Sequence, residues 1–289
     1  MAQQTHTPME NPTENTMENI GHTPSIIDFH VHIFPEKVAA RAVAATGGYY
    51  GIQMQRAGTV SDVLADGAAI HCSRYLVHST ATRPDQVHSV NDFLCASAAA
   101  HPEFIPFGTL HPHMEGLAAE VDRMIANGLC GVKLHADFQG FRLDDEDVLY
   151  MYEILEGRLP VLLHMGDLNT DNTTPERLLN VIRRFPKLEV IGAHFGGFSV
   201  WDRAERVLAG TGVYVDTSSS LPFLTPERAT ELVHAFGADR CLFGTDYPMW
   251  DHKGEYERFN RLNLTDAERE KILHQNAETL LHLDKSAEN

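Results

Sequence analysis

Short apolar runs that are rich in β-forming residues alternate with helical stretches through most of this chain. Eight such runs can be counted, and the first lies within residues 25–35. Strands that alternate with helices in this way form βαβ units and a parallel sheet. Eight units in roughly 260 residues predict an α/β fold, a (β/α)8 TIM barrel, with a doubly wound sheet as the alternative. The seven later runs are 74–78, 104–110, 129–135, 159–164, 188–194, 212–217 and 240–245.

The stretches between the runs predict helices, and two of them carry clear start signals. Thr174-Pro175-Glu176 and Thr225-Pro226-Glu227 each place proline at the first helical position, where its missing N–H is not needed. Segment 35–56 is a longer insertion, predicted to be helical or irregular, and loops of this length after a barrel strand often cover an active site. The predicted helices are 59–69, 84–101, 114–127, 145–156, 175–185, 200–210, 226–236, 255–263 and 266–283.

We predict that the chain is a single domain behind a disordered tail. Residues 1–23 are mainly Thr, Asn, Glu, Gln, Met and Pro, which have too little apolar surface to bury. The barrel domain is therefore placed at residues 24–285.

The charge of the chain limits its partners. A formal net charge of −17 at pH 7 argues against nucleic acids and anionic membrane surfaces as ligands. No apolar run approaches the roughly 18 residues that a membrane span needs. The four cysteines are far apart, which fits reduced thiols in a cytoplasmic protein rather than a disulfide framework. A small-molecule substrate is the expected partner, and the sequence leaves open whether the chain forms a homo-oligomer.

The first run contains Asp28-Phe29-His30-Val31-His32. In a regular strand, Asp28, His30 and His32 share one face, while Phe29 and Val31 point to the other. Two imidazoles at positions i and i+2 of one strand face can bind one divalent metal ion. On its own the stretch is equally consistent with a half-buried strand that carries two chance histidines.

Ionisable residues end all eight predicted strands. Catalytic groups of a TIM barrel lie at the carboxyl ends of its strands, and buried charges are costly unless they are paired or bind a metal. The pattern therefore favours a metal site over core packing. After the first strand, the residues concerned are His78, His111, Lys133, His135, His164, His194, Asp216 and Asp246.

These pieces together resemble the amidohydrolase superfamily, and most closely its amidohydrolase-2 branch. That branch includes aminocarboxymuconate-semialdehyde decarboxylase, related nonoxidative decarboxylases and various hydrolases. The resemblance runs from about residue 26 to residue 283. It is carried by Asp28-Phe29-His30-Val31-His32, Gly131-Val132-Lys133-Leu134-His135, Val161-Leu162-Leu163-His164, Ala193-His194-Phe195-Gly196-Gly197, Phe243-Gly244-Thr245-Asp246-Tyr247-Pro248 and Ile272-Leu273-His274-Gln275-Asn276-Ala277.

The resemblance implies a role for each matching residue. His30 and His32 match the paired metal ligands, and His164 matches the strand-five ligand. Asp246 matches the aspartate that binds the metal and shuttles protons. His194 matches the histidine that holds the metal-bound water or polarises the substrate. The expected cofactor is one divalent metal ion, Zn²⁺ in the first place, with Mn²⁺ and Fe²⁺ as alternatives.

The fourth strand leaves several roles open. Some superfamily members carry a carboxylated lysine there that bridges two metals, and Lys133 shares a strand face with His135. Lys133 could instead pair with Asp246, or bind a substrate carboxylate. His135 could serve a second metal or the substrate. A mononuclear site is the preferred interpretation.

The implied activity is hydrolysis of a small-molecule C–N or C–O bond in an amide, lactone or ester. Asp246 takes a proton from a metal-activated water, and the metal with His194 stabilises the developing oxyanion. Nonoxidative decarboxylation of an unsaturated or aromatic acid is the alternative, with Arg83 or Arg142 receiving the departing carboxylate. The third alternative is a binding module whose catalytic site has been lost. Four further strand residues are expected to support the site by hydrogen bonds rather than to react: Asp28, His78, His111 and Asp216.

Overall fold

The computed structural model describes residues 25–283. The predicted tail, residues 1–23, lies outside the described residues. Eight parallel strands form one sheet in the order β1 to β8, so each strand pairs with its neighbours in the sequence. The strands are β1 Ile27–His32, β2 Arg74–His78, β3 Phe104–Gly108, β4 Gly131–Leu134, β5 Val161–Leu163, β6 Val190–Gly192, β7 Tyr214–Asp216 and β8 Cys241–Leu242.

The sheet closes on itself between β1 and the residues that follow β8. Phe29 N–H donates to the carbonyl of Phe243 over 2.8 Å, and His32 N–H donates to the carbonyl of Tyr247 over 2.8 Å. In the opposite direction, Asp246 N–H donates to the carbonyl of His30 over 3.0 Å. The predicted TIM barrel is therefore confirmed, and the doubly wound alternative is wrong because an open sheet would leave these groups unpaired.

Helices follow the strands as predicted, and the insertion after β1 is helical. Thr174 and Thr225 cap their helices by accepting the backbone N–H of Arg177 and Arg228, so the predicted starts at Pro175 and Pro226 are confirmed. The helices are α1 Glu36–Tyr50, α2 Val60–Gly67, α3 Val87–Ala100, α4 Leu117–Ala126, α5 Ala136–Gln139, α6 Glu146–Leu155, α7 Pro175–Arg184, α8 Trp201–Leu208, α9 Pro226–Phe236, α10 His252–Phe259, α11 Asp266–Glu270 and α12 Asn276–Leu281. Across the described part of the chain, none of them is long and apolar enough to span a membrane.

The last two predicted helices have different bounds in the structure. Helix α10 begins before the predicted 255–263 because the Asp251 side chain accepts the N–H of Gly254 over 2.9 Å and caps the helix there. The predicted 266–283 is interrupted by a π-helical turn, where the Ile272 carbonyl accepts the N–H of Phe243 over 2.9 Å. A carbonyl shared with the barrel in this way favours the wider turn.

The face assignment predicted for β1 is wrong at Asp28. The register of β1 against β2 shifts between Asp28 and Val31, which marks an irregularity that breaks the simple alternation of side chains. Phe29 packs inside the barrel with its ring 6.0 Å from that of Phe107. Asp28 lies instead against α10, where His252 Nε2 is 3.1 Å from its Oδ2.

Asp28 ties the two sides of the closure together. Its Oδ1 accepts the N–H of His30 and the N–H of Thr245, each over 3.0 Å, and its Oδ2 accepts the Thr245 hydroxyl over 2.6 Å. His252 bridges it to Asp66, whose Oδ2 is 2.8 Å from His252 Nδ1. The expected hydrogen-bonded role of Asp28 is confirmed, on the outer face of the strand.

This buried bridge predicts a loss of stability at alkaline pH. Burial lowers the pKa of His252, but the carboxylates of Asp28 and Asp66 outweigh it and raise the pKa to about 9. A raised pKa means that the stabilisation is complete below the unfolded value of about 6.5 and disappears as the pH rises through 9. Between pH 6.5 and 9.5 we expect the free energy of unfolding to fall by about 3 kcal/mol from this group.

Urea unfolding at both pH values measures this loss, and His252→Gln provides the comparison. The variant has no titrating ring, so its unfolding free energy should change less between the two pH values than that of the natural chain. Equal pH dependence in the two proteins would contradict the bridge.

Candidate metal and catalytic site

The barrel closure brings the two ends of the chain together at the site. His30 and His32 leave β1 on one side, and Asp246 follows β8 on the other. Asp246 Oδ1 lies 3.4 Å from His30 Nε2 and 3.2 Å from His32 Nε2. Asp246 has a φ of 62°, a left-handed conformation that is uncommon for a residue with a side chain. Such conformations concentrate at functional sites, where the surrounding structure holds them.

Close approach across the closure requires glycine at position 244. A Cβ atom there would lie 2.9 Å from the Cβ of His30, which is too close for a real contact. The glycine therefore lets β8 run against the ligand-bearing part of β1.

Asp216 orients His30. Its Oδ2 lies 2.8 Å from His30 Nδ1, while its Oδ1 accepts the backbone N–H groups of His194 over 2.9 Å and Ser218 over 3.1 Å. Burial opposes ionisation of Asp216, but His30, His194 and Ser218 outweigh it and lower the pKa to about 2. Asp216 therefore contacts His194 through the backbone N–H of that residue, and the imidazole that Asp216 fixes is that of His30.

Lys133 is completely buried and lies against His30 Nε2, the nitrogen that also faces Asp246. Its Nζ is 3.1 Å from His30 Nε2, and no ion pair joins it to Asp246 in this structure. Burial lowers the pKa of Lys133 to about 8, against the opposing effect of Asp216 and Asp246. Burial and the nearby Lys133 lower the pKa of His30 to about 4, so its imidazole is neutral and has a lone pair to offer.

The other half of the site consists of three histidines. His164 Nδ1 lies 3.1 Å from His194 Nε2, and the rings of His135 and His164 stack with centroids 3.8 Å apart. Burial lowers the pKa of all three imidazoles, which are therefore neutral. His194 has a φ of 61°, so like Asp246 it adopts a left-handed backbone conformation at the end of its strand.

Within residues 25–283, three groups of side chains bring potential ligand atoms within 4.8 Å of one another. The predicted set of His30, His32, His164 and Asp246 is not one of these groups. His32, His164 and Asp246 line the same cavity, and His30 contacts Asp246 beside them. The groups are His30 with His32 and His78, His30 with His194 and Asp216, and His135 with Asp137 and His164.

His78 and His111, both expected to support the site, differ in their position. The ring of His78 lies edge-on to those of His30 and His32, with centroids 4.9 and 4.3 Å apart, and neither of its nitrogens has a hydrogen-bond partner. His111 Nδ1 instead accepts the N–H of His113 over 3.3 Å. His78 therefore belongs with the β1 histidines.

A cavity of about 450 Å³ opens above these residues. Its floor carries His32, His135, His164 and Asp246. Helix α1 covers it, so the prediction that the insertion covers the site is confirmed. Most of the remaining lining is apolar, from Phe34, Ala42, Ala45, Met54, Phe138, Pro248 and Met249. The other lining residues carry hydroxyl groups and are Thr46, Tyr49, Tyr50, Thr80 and Thr82.

Sequence reasoning missed several residues that contact the site. Ser219 donates its hydroxyl to Asp246 Oδ2, and the Ser218 hydroxyl lies 2.8 Å from His194 Nδ1. The polar run at 217–220, which follows β7, was the available signal. Tyr50, at the end of α1, reaches His135 and His164 with its hydroxyl, and no strand-end pattern points to it.

Gln139, in the short helix α5 that was not predicted, holds His135 in place. Its Oε1 accepts the backbone N–H of His135 over 2.9 Å. Its Nε2 donates to the carbonyls of Ala81 over 3.0 Å and Leu110 over 2.7 Å. One buried amide therefore joins the loops after β2, β3 and β4 beside the cavity.

The amidohydrolase family model matches residues 27–283. The chain belongs to this family. The predicted resemblance is thus confirmed, and the match spans the whole barrel from β1 to the end of the described chain.

Solved structures with the same fold include proteins of different description. An uncharacterized TIM-barrel protein from Bordetella bronchiseptica is 24% identical, with a TM-score of 0.72 over 89% of this chain and 98% of that one. A dihydroxybenzoic acid decarboxylase from a Polaromonas species, with bound manganese and 2-nitroresorcinol, is 18% identical. Its TM-score is 0.72 over 91% of this chain and 98% of that one. A probable 2-pyrone-4,6-dicarboxylic acid hydrolase from Acinetobacter baumannii, with bound citric acid, is 16% identical. Its TM-score is 0.66 over 89% of this chain and 99% of that one.

The hydrogen bonds of Gln139 predict a large effect of its removal. Gln139→Leu leaves three buried backbone groups without partners, and each costs on the order of 1 kcal/mol or more. We expect the free energy of unfolding to fall by about 3 kcal/mol, measured by urea denaturation. Gln53→Leu, at an exposed position on the same side of the barrel, is the control and should change stability by less than about 0.5 kcal/mol. Equal effects of the two substitutions would show that the Gln139 bonds are not needed.

Proposed function

We propose that this chain is a metal-dependent hydrolase of a small, uncharged amide, lactone or ester. One observation carries the proposal: the Asp246 carboxylate faces the Nε2 atoms of His30 and His32 at the floor of a mainly apolar cavity. A carboxylate beside two imidazoles and open to a cavity suits both metal binding and proton transfer.

The donor set fits one divalent metal ion. His30, His32, His164 and Asp246 would hold it, because three imidazole nitrogens and a carboxylate oxygen match the ligands that Zn²⁺ prefers. Mn²⁺ and Fe²⁺ also accept such a set. Burial opposes ionisation of Asp246, yet His30, His32 and His194 lower its pKa well below the usual value. When bound, such an ion lowers the pKa of a water toward neutrality and polarises a carbonyl group.

Asp246 is the proton carrier of the proposed reaction. The Ser219 hydroxyl holds Oδ2, which leaves Oδ1 directed toward the histidines. Oδ1 accepts the proton of the attacking water and later delivers it to the leaving nitrogen or oxygen. The left-handed backbone at Asp246 keeps this oxygen at the cavity floor.

His194 is assigned a positioning role. Its Nδ1 lies 2.9 Å from the carbonyl of Ser218, so in the neutral ring this nitrogen carries the hydrogen and Nε2 is an acceptor. An acceptor cannot donate to an oxyanion, so the expected oxyanion contact would require protonation of His194, which burial opposes. Its Nε2 instead fixes the ring of His164.

The cavity favours an uncharged substrate. No lysine or arginine of residues 25–283 lines it. Arg83 and Arg142, the residues expected to receive a departing carboxylate, pair with Asp85 and Asp171 at the surface. The arginine expected to support decarboxylation is therefore missing from the cavity.

Nonoxidative decarboxylation is the second candidate. The aromatic rings of Phe34 and Phe138 would accommodate an aromatic acid. One protein of similar fold is described as a decarboxylase and another as a probable hydrolase, so the fold is compatible with both reactions. Lys133 and His135 remain candidates for a second metal or for substrate in either case.

Metal removal tests the proposal. Chelation and dialysis should abolish release of acid from an aryl ester and lactone panel, and Zn²⁺ or Mn²⁺ should restore it with a stoichiometry near one ion per chain. Parallel assays of aromatic acids should release no CO₂. Full activity without metal, or CO₂ release without hydrolysis, would contradict the proposed function.

Substitution of Asp246 separates proton transfer from folding. Asp246→Asn keeps the size of the side chain but cannot take a proton, so kcat should fall by about 10²- to 10⁴-fold on the same panel. Asp239→Asn, at an exposed position, is the matched control and should leave kcat unchanged. Equal kcat values for the two variants would remove Asp246 from the chemistry.

A further inference from the structure

Helix α1 carries Tyr50 into the site from the insertion. Its hydroxyl lies 3.0 Å from His135 Nε2 and 3.2 Å from His164 Nε2. Its ring packs against those of Phe138 and Phe198, with centroids 6.0 and 5.8 Å away. Tyr50 is therefore the one α1 side chain with a polar atom on the histidines at the cavity floor.

The end of α1 is fixed so that Tyr50 stays in this position. Tyr49 donates its hydroxyl to Asp167 Oδ2 over 2.8 Å. Gly51 closes the helix with a left-handed backbone, and its N–H bonds to the carbonyl of Gly47. The position of Tyr50 is therefore fixed both by the end of helix α1 and by the aromatic rings that pack around it.

The direction of the hydrogen bonds follows from the backbone groups at the two ends of the histidine row. The Phe138 N–H points to His135 Nδ1 over 3.4 Å, so His135 carries its hydrogen on Nε2 and donates to the Tyr50 oxygen. At the other end, His194 donates from Nδ1 to Ser218, and its Nε2 accepts from His164 Nδ1. The neutral ring of His164 then has a lone pair on Nε2, which accepts the Tyr50 hydroxyl.

The carbonyl of Gly166 also lies 3.1 Å from His164 Nε2. Because His164 carries on Nδ1 the hydrogen that His194 Nε2 accepts, this carbonyl is a close neighbour of Nε2 and not its acceptor. The assigned direction therefore stands. Within this row, the Tyr50 hydroxyl is a donor that itself borders the cavity.

On the basis of the proposed hydrolysis, we propose that Tyr50 is a catalytic residue. Its hydroxyl donates a hydrogen bond to the carbonyl oxygen of the substrate. A metal held by His164 would take the Nε2 lone pair, so the substrate oxygen would replace that nitrogen as the acceptor of the Tyr50 hydroxyl. His135 would continue to donate to the Tyr50 oxygen. As water adds to the carbonyl carbon, the π electron pair moves to that oxygen and the bond to Tyr50 strengthens. When the tetrahedral state collapses, the pair returns and the bond to the leaving group breaks, and Tyr50 keeps its proton throughout.

The phenol hydroxyl is suited to this role because it borders the cavity and its oxygen is held by His135. A donor already placed where negative charge develops contributes far more in a closed cavity than in water.

Tyr50→Phe removes only the donor, and Tyr150→Phe, which removes an exposed hydroxyl from α6, is the matched control. With the zinc-loaded full chain and 4-nitrophenyl acetate or dihydrocoumarin, Tyr50→Phe should lower kcat by about 100-fold and change KM by less than about threefold. Tyr150→Phe should stay within about twofold of the natural chain in both constants. Zinc content and Tm should match in all three proteins.

Binding of methyl phenylphosphonate, a tetrahedral oxyanion, provides a readout that needs no turnover. Calorimetry should show affinity about tenfold or more weaker for Tyr50→Phe than for Tyr150→Phe. Unchanged kcat and unchanged phosphonate affinity in Tyr50→Phe would overturn the role of Tyr50 while leaving the hydrolase proposal intact. No hydrolysis by the natural chain, together with weakened phosphonate binding in Tyr50→Phe, would overturn the hydrolase proposal and uphold the contact. Neither hydrolysis nor phosphonate binding by the natural chain would overturn both.

Discussion

Closure of the barrel between β1 and residues 243–247 is the constraint on which the site depends. The backbone bonds across this closure place His30 and His32 opposite Asp246, although more than 200 residues of chain separate them. Asp28 reinforces the closure from the outer face by binding backbone groups of both sides with one carboxylate oxygen. Because the carboxylate and the two imidazoles come from opposite sides of the barrel closure, loss of the closure would separate them.

Buried charge at the site is balanced by specific neighbours. Asp216 stays ionised because it receives backbone N–H groups and faces His30, and the His30 ring is thereby held with Nε2 toward Asp246. Burial lowers the pKa of His164 and His194, which favours neutral rings with lone pairs for a metal or for one another. Helix α1 then closes the space above them and adds Tyr50, the hydroxyl that connects the insertion to the barrel floor.

The sequence was sufficient to predict the barrel and the positions of the polar strand ends, since both follow from short-range periodicity. His164, His194 and Asp246 could be placed at one end of the barrel for this reason. The irregularity in β1 could not be predicted, because it depends on pairing with a strand more than 40 residues away, and it moved Asp28 to the outer face. Tyr50 was missed for a similar reason, because only the packing of α1 across the barrel mouth brings it to His135 and His164.

The central claim is that one metal ion joins the two halves of the site. Anomalous diffraction at the zinc edge, from crystals of the zinc-loaded chain, tests it most directly. The account predicts a single strong peak bounded by His30, His32, His164 and Asp246. A peak centred instead on His135, Asp137 and His164, or two peaks of equal height bridged by Lys133, would contradict it.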